Sequence, residues 1–189
     1  MPADQSSSVR LVVLDRDGVI NEDREDFVRC PADWVPIKGS LRAIERLNRR
    51  GILVAIATNQ SGLARGMFAL NDLDAIHQAL ARELSELGGH VDGIFVCPHG
   101  PSEGCDCRKP RPGLLIQAGQ TLGVRAEDTV FVGDRDTDLR AAEAAGIQPI
   151  LVRTGHGKSV VERALERGIV VADDLSSAIE GILCACDLE

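Results

Sequence analysis

The chain has 189 residues, of which 44% are hydrophobic and 26% charged, a length and composition that suit one globular domain. Its net charge of -8 disfavours nucleic-acid or anionic-membrane binding driven by bulk charge, and Trp34 and four Phe offer little for base stacking. No apolar run approaches the ~20 residues that span a bilayer, and the polar segment 1–8 lacks signal-peptide features. We therefore expect a cytoplasmic protein with one domain over residues 1–189.

Short β-branched runs alternate with amphipathic segments along the chain. The runs predicted as buried strands are residues 11–14, 52–57, 94–96, 129–132, 149–152 and 169–171. The segments predicted as helices are 41–47 with Gly51 beyond the end, 73–87 with Asn71 as N-cap, 114–122, 139–145, 160–167 and 175–183. This alternation predicts an α/β domain with a doubly wound, mainly parallel sheet. Segments 21–39 and 98–113 remain unassigned, and such insertions are the first places to seek a site.

Acidic residues follow two of the predicted strands. Strand 11–14 leads into the sequence DRDG at 15–18, and strand 129–132 leads into GDRDTD at 133–138. Crowded carboxylates at one sheet edge repel each other unless a cation offsets their charge. Asp15, Asp134 and a backbone carbonyl form an oxygen-only set that suits Mg²⁺. A solvated turn explains an isolated D-x-D-G equally well, and helix-dipole stabilisation explains the later acids of 133–138 but not Asp134.

Polar and basic residues complete the pattern. The predicted strand 52–57 is followed by Thr58, Asn59, Gln60 and Ser61. Their hydroxyl and amide donors can hold phosphate oxygens, although the same residues are ordinary loop formers. Arg108 and Lys109 are adjacent cations in an acidic chain, and the usual role of such a pair is surface solubilisation.

Three cysteines and a histidine fall within the segment 97–107. They are Cys97, His99, Cys105 and Cys107. Three thiolates and a neutral imidazole close a tetrahedral zinc shell of the structural type. Incidental cysteines, or a redox pair of Cys105 and Cys107, are the alternatives. Because Cys107 directly precedes Arg108 and Lys109, zinc in this loop would also fix the two cations.

In chain order, strand-DxDG, strand-TNQSG, RKP and strand-GDxxxD resemble the haloacid dehalogenase-like (HAD) phosphatase superfamily over roughly residues 11–152. The combination of CPHG and CDCRKPRPG with DRDGVIN and TNQSGLARG resembles its zinc-containing branch, which includes heptose bisphosphate phosphatases and histidinol-phosphate phosphatases. TNQSGLARG resembles the heptose enzymes, whereas the short spacer 100–104 resembles the histidinol type. The resemblance implies a Rossmann-like HAD fold with the zinc loop 97–107 inserted and no large cap domain.

The resemblance also implies a Mg²⁺-dependent phosphatase with a structural Zn²⁺. Its implied reaction removes the 7-phosphate of a heptose 1,7-bisphosphate during synthesis of the ADP-heptose precursor of lipopolysaccharide, and the alternative is histidinol-phosphate hydrolysis in histidine biosynthesis. The implied catalytic residues are Asp15 as nucleophile, Asp17 as general acid, and Thr58 and Lys109 as ligands of the phosphoryl oxygens. The implied magnesium ligands are Asp15, Asp134 and the carbonyl of Asp17, with Asp138 orienting metal waters or Lys109. The implied substrate contacts are Asp23, Asp26, Asn59, Gln60, Ser61, Arg108 and Lys109.

Two other functional classes use similar residues. A phospho-acceptor signalling domain also combines an acidic cluster with Thr and Lys, but a general acid two residues after the nucleophile favours turnover. A zinc-stabilised binding module with a degenerate active site is disfavoured because the catalytic set is complete. We expect a monomer with a small phosphorylated substrate and with neither a nucleic-acid nor a membrane partner.

Overall fold

The structure is a computed structural model that describes residues 9–186. Residues 1–8 and 187–189 lie outside the described residues. The expectation that the chain lacks a signal peptide rests on segment 1–8 and so falls outside them too. The strands are β1 (Leu11–Leu14), β2 (Leu53–Asn59), β3 (Gly93–Cys97), β4 (Thr129–Gly133), β5 (Gln148–Val152) and β6 (Val170–Ala172). The α-helices are α1 (Ser40–Arg49), α2 (Leu70–Glu86), α3 (Gly113–Leu122), α4 (Asp136–Ala144), α5 (Val161–Glu166) and α6 (Leu175–Cys186).

The strands form one parallel sheet in the order β3-β2-β1-β4-β5-β6. The chain runs outward from β1 through β2 to β3 and then returns to β4 on the other side of β1. The topological switch point therefore lies at the carboxyl ends of the neighbouring strands β1 and β4, which is where ligands bind in open α/β sheets. Leu14, the last residue of β1, pairs with Ile56 on one side and Val132 on the other. The predicted doubly wound α/β fold is confirmed.

Helices cover both faces of the sheet. Val12 and Leu14 face the cluster that contains the apolar sides of α1, α2 and α6. Leu11 and Val13 face the opposite cluster, which contains residues of α3 and α4. All four side chains of β1 are fully buried. Because both faces are buried, β1 is apolar throughout instead of alternating, and burying each such side chain stabilises the fold by roughly 1.5–3 kcal/mol.

Strand β2 and helix α2 differ from the prediction at their ends. Strand β2 continues through Asn59, so Thr58 lies in the strand and pairs with Val96 instead of opening a turn. Helix α2 begins at Leu70, and Asn71 is not its N-cap: the carboxylate of Asp72 accepts a hydrogen bond of 2.8 Å from the backbone N–H of Ala69. An acidic side chain at the third position after the N-cap can accept a hydrogen bond from the free backbone N–H of the N-cap residue. Asp72 does this here, so the helix start does not need a capping Asn.

The unassigned segment 21–39 forms a loop over the carboxyl edge of the sheet. Its isolated bridge joins Asn21 to Pro36, a short 3-10 helix covers Pro31–Asp33, and Val28 and Trp34 bury their side chains in the core. This loop is a small cover, and no separate cap domain is present within residues 9–186. In the same range, no helix has both the length and the apolar character that a bilayer crossing requires.

Candidate active site

The carboxyl ends of β1, β2 and β4 open into a cavity of about 890 Å³. The predicted site residues that line it are Asp15, Asp17, Asp23, Thr58, Asn59, Ser61, Arg108, Lys109 and Asp138. These residues come from four separate stretches of the sequence. The parallel sheet brings them together because its strand ends all lie at one edge.

Lys109 is buried between two carboxylates. Its Nζ lies 2.9 Å from Asp15 Oδ1 and 2.8 Å from Asp138 Oδ1, and it donates a 2.9 Å hydrogen bond to the carbonyl of Ala57. Burial alone would lower the pKa of Lys109, but Asp138 and Asp15 raise it above the ordinary value. The ammonium group is therefore held as a fixed cation beside Asp15.

Asp138 is committed to this arrangement by its other oxygen. Its Oδ2 accepts hydrogen bonds from the backbone N–H groups of Asp134 and Arg135, at 3.2 and 3.0 Å. The side chain of Asp138 thus closes the first turn of α4 and orients Lys109 at the same time. Gly133 makes room for this turn, because a Cβ there would lie 2.3 Å from the Cβ of Asp138.

The acids of the site fit a divalent cation. Asp15, Asp134 and Asp138 place carboxylate oxygens within 4.8 Å of one another. Burial raises the pKa of Asp15 to about 7, against the opposing effect of Lys109, and burial with the charges of Asp15 and Asp138 raises that of Asp134 to about 8. Oδ1 of Asp134 is buried without a hydrogen-bond donor. Carboxylate oxygens are the ligands that Mg²⁺ prefers, and a cation here would also offset the repulsion among the three acids.

Backbone packs tightly around Asp134. Its Oδ2 accepts a 2.7 Å hydrogen bond from the N–H of His156. A Cβ at Gly18 or at Gly155 would lie only 2.4 or 2.2 Å from the same oxygen, and both glycines have positive φ. These two positions therefore require glycine, and they fix the carboxylate of Asp134 against the turn that follows Asp17.

Asp17 is held by four donor groups. Arg16 donates to both of its oxygens, and Nδ2 of Asn21 and Nε2 of Gln60 donate hydrogen bonds of 2.9 and 2.8 Å. Burial would raise the pKa of Asp17, but Arg16 and the two amides lower it below the ordinary value. Asp17 is therefore ionised at the wall of the cavity.

Thr58 and Asn59 end β2 with different tasks. The Oγ1 of Thr58 accepts a 2.8 Å hydrogen bond from Gln60, which leaves its own proton for an oxygen in the cavity. Asn59 accepts from the backbone N–H of Lys109 at 3.1 Å and donates to its carbonyl at 3.2 Å. The side chain of Asn59 thereby fixes the backbone of Lys109.

The cysteine loop has the geometry of a closed zinc shell. Cys97 Sγ lies 3.7 Å from His99 Nδ1 and 3.7 Å from Cys105 Sγ, and His99 Nδ1 lies 3.3 Å from Cys107 Sγ. A tetrahedron with Zn–S of about 2.3 Å and Zn–N of about 2.0 Å has edges of roughly 3.5–3.8 Å. Two of the distances lie within that range and the third, at 3.3 Å, is slightly shorter, while the Cys97–Cys105 sulfur distance is far longer than a disulfide bond.

Burial raises the pKa of the Cys97 thiol above its ordinary value, whereas hydrogen bonds within the cluster lower that of Cys105 to about 7 against the effect of burial. Burial and the neighbouring thiols raise the pKa of Cys107 to about 12. Zinc deprotonates its cysteine ligands, so a bound ion would offset the free-energy cost of ionising Cys107 in this buried cluster. The loop also contacts the active site: Nη1 of Arg108, which lines the cavity, donates a 3.2 Å hydrogen bond to the carbonyl of His99.

Comparison with known proteins agrees with this geometry. The HAD-hydrolase-like family model matches residues 106–178. The D-glycero-β-D-manno-heptose-1,7-bisphosphate 7-phosphatase of Pseudomonas aeruginosa is 47% identical over 92% of this chain and 97% of its own. That of Bordetella bronchiseptica is 46% identical over 93% and 98%. The crystal structure of the D,D-heptose 1,7-bisphosphate phosphatase of B. bronchiseptica, with magnesium and phosphate, superposes with a TM-score of 0.90 at 45% identity, covering 94% of this chain and 99% of that one.

The chain belongs to the heptose-1,7-bisphosphate 7-phosphatase family. Its HAD-like fold and Mg²⁺-dependent phosphatase class follow from this membership. Of the two types that the resemblance left open, the relatives described above are heptose enzymes. The short spacer 100–104, which resembles the histidinol type, therefore does not decide the subfamily.

The structure places two of the expected substrate contacts away from the cavity wall. The side-chain amide of Gln60 is buried and bonds to Asp17 and Thr58. Asp26 is exposed and pairs with Arg24 and Arg29 on the surface of the loop. The resemblance implied substrate contact for both, but Gln60 points inward and Asp26 points to the surface.

The cavity also contains residues that the sequence analysis did not select. Oδ2 of Asp23 lies 2.6 Å from Nη2 of Arg135 and 2.9 Å from Nε2 of His156. Thr154, which also lines the cavity, donates a 2.6 Å hydrogen bond to the carbonyl of Gly18. The signal for Thr154 and His156 was available, because both directly follow β5 at the same sheet edge.

Proposed function

We propose that this protein hydrolyses the 7-phosphate ester of D-glycero-β-D-manno-heptose 1,7-bisphosphate, a step in the synthesis of ADP-heptose. The observation that carries the phosphatase chemistry is the buried pair of Asp15 and Lys109, 2.9 Å apart, beside Asp17 in a cavity at the switch point, and the similarity to heptose bisphosphate phosphatases supports the choice of substrate. The substrate is a small phosphorylated sugar. We further propose that the protein acts in the cytoplasm as a monomer, with residues 1–189 as one catalytic domain and no nucleic-acid or membrane partner.

In the first step, an oxygen of Asp15 attacks phosphorus and the bond from phosphorus to the sugar oxygen breaks. The phosphoryl group moves to Asp15, and Asp17 gives a proton to the departing alkoxide, which leaves as the sugar hydroxyl. Asp17 is ionised in the substrate-free geometry, but the negative charge of an arriving phosphate raises its pKa and favours the protonated form. Lys109 and Thr58 bind the oxygens of the transferred group.

In the second step, Asp17 accepts a proton from a water molecule, and that water attacks phosphorus. The bond from Asp15 to phosphorus breaks, inorganic phosphate leaves, and the carboxylate of Asp15 is regenerated. Arg16 and Gln60 keep Asp17 ionised, so that it can accept a proton in this step, and by lowering its pKa they also favour the later release of that proton.

We propose that Asp15, Asp134 and the carbonyl of Asp17 hold Mg²⁺, with Asp138 outside the ligand set because its two oxygens bond to Lys109 and the α4 backbone. The ion supplies positive charge to the phosphoryl oxygens in the transition state. We assign Zn²⁺ to Cys97, His99, Cys105 and Cys107, where it fixes the loop that carries Arg108 and Lys109.

Sugar recognition falls to the residues around the mouth of the cavity. We propose that Arg108, Ser61 and Asp23 contact the sugar or its second phosphate, since each lines the cavity. Asn59 and Gln60 act on Lys109 and Asp17 and do not bind the sugar. Arg135 and His156 hold Asp23 in place.

A substrate panel tests the proposal. Phosphate release is measured with the two anomers of heptose 1,7-bisphosphate and with histidinol phosphate, using enzyme loaded with Mg²⁺ and Zn²⁺. We expect the highest kcat/KM with the β anomer and release of the 7-phosphate alone. Higher kcat/KM with histidinol phosphate would assign the protein to the histidinol reaction, and a stable phosphoprotein without phosphate release would support a signalling domain.

A further inference from the structure

One side chain of the site is unusual for its burial. Arg16 has no exposed surface, although it lies between two cavity-lining acids. Its Nε and Nη2 lie 3.1 and 3.0 Å from Asp17 Oδ1, and Nη2 lies 2.9 Å from Oδ2. A buried guanidinium is costly unless its donors are paired, and the fork of Arg16 spends two nitrogens on Asp17.

The third nitrogen of Arg16 reaches a distant helix. Its Nη1 lies 3.4 Å from Nε2 of His77, which is 61 positions further along the chain on α2. Burial and the charge of Arg16 lower the pKa of His77 to about 4, so the ring is neutral. Nε2 accepts the hydrogen bond when the ring proton is on Nδ1. The guanidinium is thus anchored between the β1 turn and α2.

The fork determines how Asp17 can move. Both oxygens of Asp17 are occupied by donors of the chain, so one must be released before it can exchange a proton with substrate or water. Nη2 of Arg16 contacts both oxygens, whereas Asn21 and Gln60 each contact one. A rigid fork that reaches both atoms can keep one contact while the other oxygen turns to the cavity.

We propose that Arg16 and His77 are positioning residues for Asp17: Arg16 orients its carboxylate toward the sugar oxygen, and His77 fixes Arg16. The inference rests on the proposed function, since it concerns the acid–base role of Asp17. Lysine cannot replace Arg16 in this task, because an ammonium group is a single point without a planar fork.

The consequence is a dependence on the leaving group. A sugar alkoxide needs a proton from Asp17 as it departs, whereas p-nitrophenolate is stable without one. Misplacing Asp17 therefore slows hydrolysis of the sugar phosphate more than hydrolysis of p-nitrophenyl phosphate. General damage to the site slows both reactions alike.

The test compares these two substrates in four variants of the Mg²⁺- and Zn²⁺-loaded enzyme. For Arg16→Lys we expect kcat on the heptose bisphosphate to fall roughly 10- to 100-fold, below the ~10²- to 10⁴-fold of acid–base catalysis as a whole, with KM nearly unchanged. His77→Leu should show a smaller loss of the same kind, and His77→Gln should restore activity because its amide oxygen can accept from Arg16. His90→Leu, an exposed histidine beside Asp92, is the control and should behave as wild type. On p-nitrophenyl phosphate, Arg16→Lys and His77→Leu should lose less than on the heptose bisphosphate, because only the hydrolysis of the aspartyl phosphate then depends on Asp17, and His77→Gln and His90→Leu should lie near wild type.

Equal losses on both substrates, or unchanged kcat on the heptose bisphosphate in Arg16→Lys and His77→Leu, would overturn the inference. If Arg16→Lys does not fold, as a thermal unfolding scan would reveal, the His77 pair decides alone. Asp17→Asn separates the two proposals: it should lose far more activity on the heptose bisphosphate than on p-nitrophenyl phosphate. Failure of Asp17→Asn to do so contradicts the proposed function, whereas failure of the Arg16 and His77 variants alone contradicts only the positioning role.

Discussion

Two candidate metal centres lie side by side at one edge of the sheet, and they are built in opposite ways. The zinc loop takes its ligands from the single segment 97–107, and their atoms are spaced like the corners of a closed tetrahedron. The acidic centre joins Asp15, Lys109 and Asp134 from separate segments and opens into the cavity. The closed shell leaves no position for substrate, so it can only fix structure. The open centre keeps unpartnered oxygens, so it can carry out chemistry.

The two centres meet at Lys109. Lys109 lies two residues after Cys107, the last residue of the zinc loop. Asn59 at the end of β2 makes hydrogen bonds that fix the backbone of Lys109. The comparison therefore predicts that damage to the acidic centre removes the chemistry, whereas damage to the loop weakens it through Lys109 and Arg108. The following substitutions can break or sharpen that distinction.

The largest effect should come from Asp15→Asn. An amide is a poor nucleophile and a weak Mg²⁺ ligand of nearly the same shape, so we expect kcat to fall by about 10⁴-fold or more with the fold intact. Phosphate release and circular dichroism measure the two quantities. Asp136→Asn, which removes an acid of the 133–138 motif that pairs with Arg167 instead of facing the cavity, is the control and should keep most activity. Activity within tenfold of wild type in Asp15→Asn would remove this residue as the nucleophile.

The loop should show an intermediate effect. Cys105→Ser should release zinc, loosen residues 98–112 and lower kcat/KM roughly 10- to 100-fold, as loss of groups that support a metal site commonly does. Zinc content, hydrogen exchange of the loop and kinetics are the measurements. Added Mg²⁺ should not restore activity, because a cationic side chain is misplaced. Cys184→Ser, at an exposed position of α6, is the matched control. Normal kinetics in zinc-free protein would disprove the link between the two centres.

A smaller effect should follow from Asn59→Ala, which leaves both metal centres intact and frees the backbone of Lys109. We expect kcat to fall by about tenfold through a loss of roughly 1–1.5 kcal/mol in hydrogen bonding. Asn48→Ala is the matched control, because Asn48 also bonds to backbone, at the N–H of His90, but far from the cavity. It should lower the free energy of unfolding and leave kcat unchanged. An unchanged kcat in Asn59→Ala, with a lower free energy of unfolding, would show that Asn59 contributes to stability alone.

The smallest effect concerns pH. The pKa of Asp15 rises from 3.8 to about 7 and that of Asp134 from 3.8 to about 8 on folding, so the folded protein without Mg²⁺ binds more protons than the unfolded chain between these values. Its stability therefore falls as pH rises from about 4 to about 8. Mg²⁺ binds the deprotonated acids, so it should raise the melting temperature by a few degrees at pH 8 and by less at pH 6.

Thermal unfolding scans at the two pH values, with and without Mg²⁺ and with zinc retained, measure this difference. Asp134→Asn should abolish most of the Mg²⁺ effect. An equal Mg²⁺ effect at pH 6 and pH 8 would contradict the raised pKa values of the acidic centre.

Local patterns in the sequence determined most of the framework. Continuous apolar runs predicted the buried parallel strands, because both faces of the sheet are covered, and glycine predicted the end of α1, where Gly51 has a φ of 71°. The clustering of Cys97, His99, Cys105 and Cys107 was predicted, since these residues are close in sequence. The acids at the ends of β1 and β4 were predicted because strand order alone brings them to one edge.

Only the tertiary structure decided which side chains share an atom-to-atom contact. Gln60 bonds to Asp17, and Asp26 pairs with Arg24 and Arg29 at the surface of its loop. The contact between Arg16 and His77 joins residues 61 positions apart. Sequence patterns report the local periodicity of burial, but a hydrogen bond between distant side chains depends on packing distances that no local pattern contains.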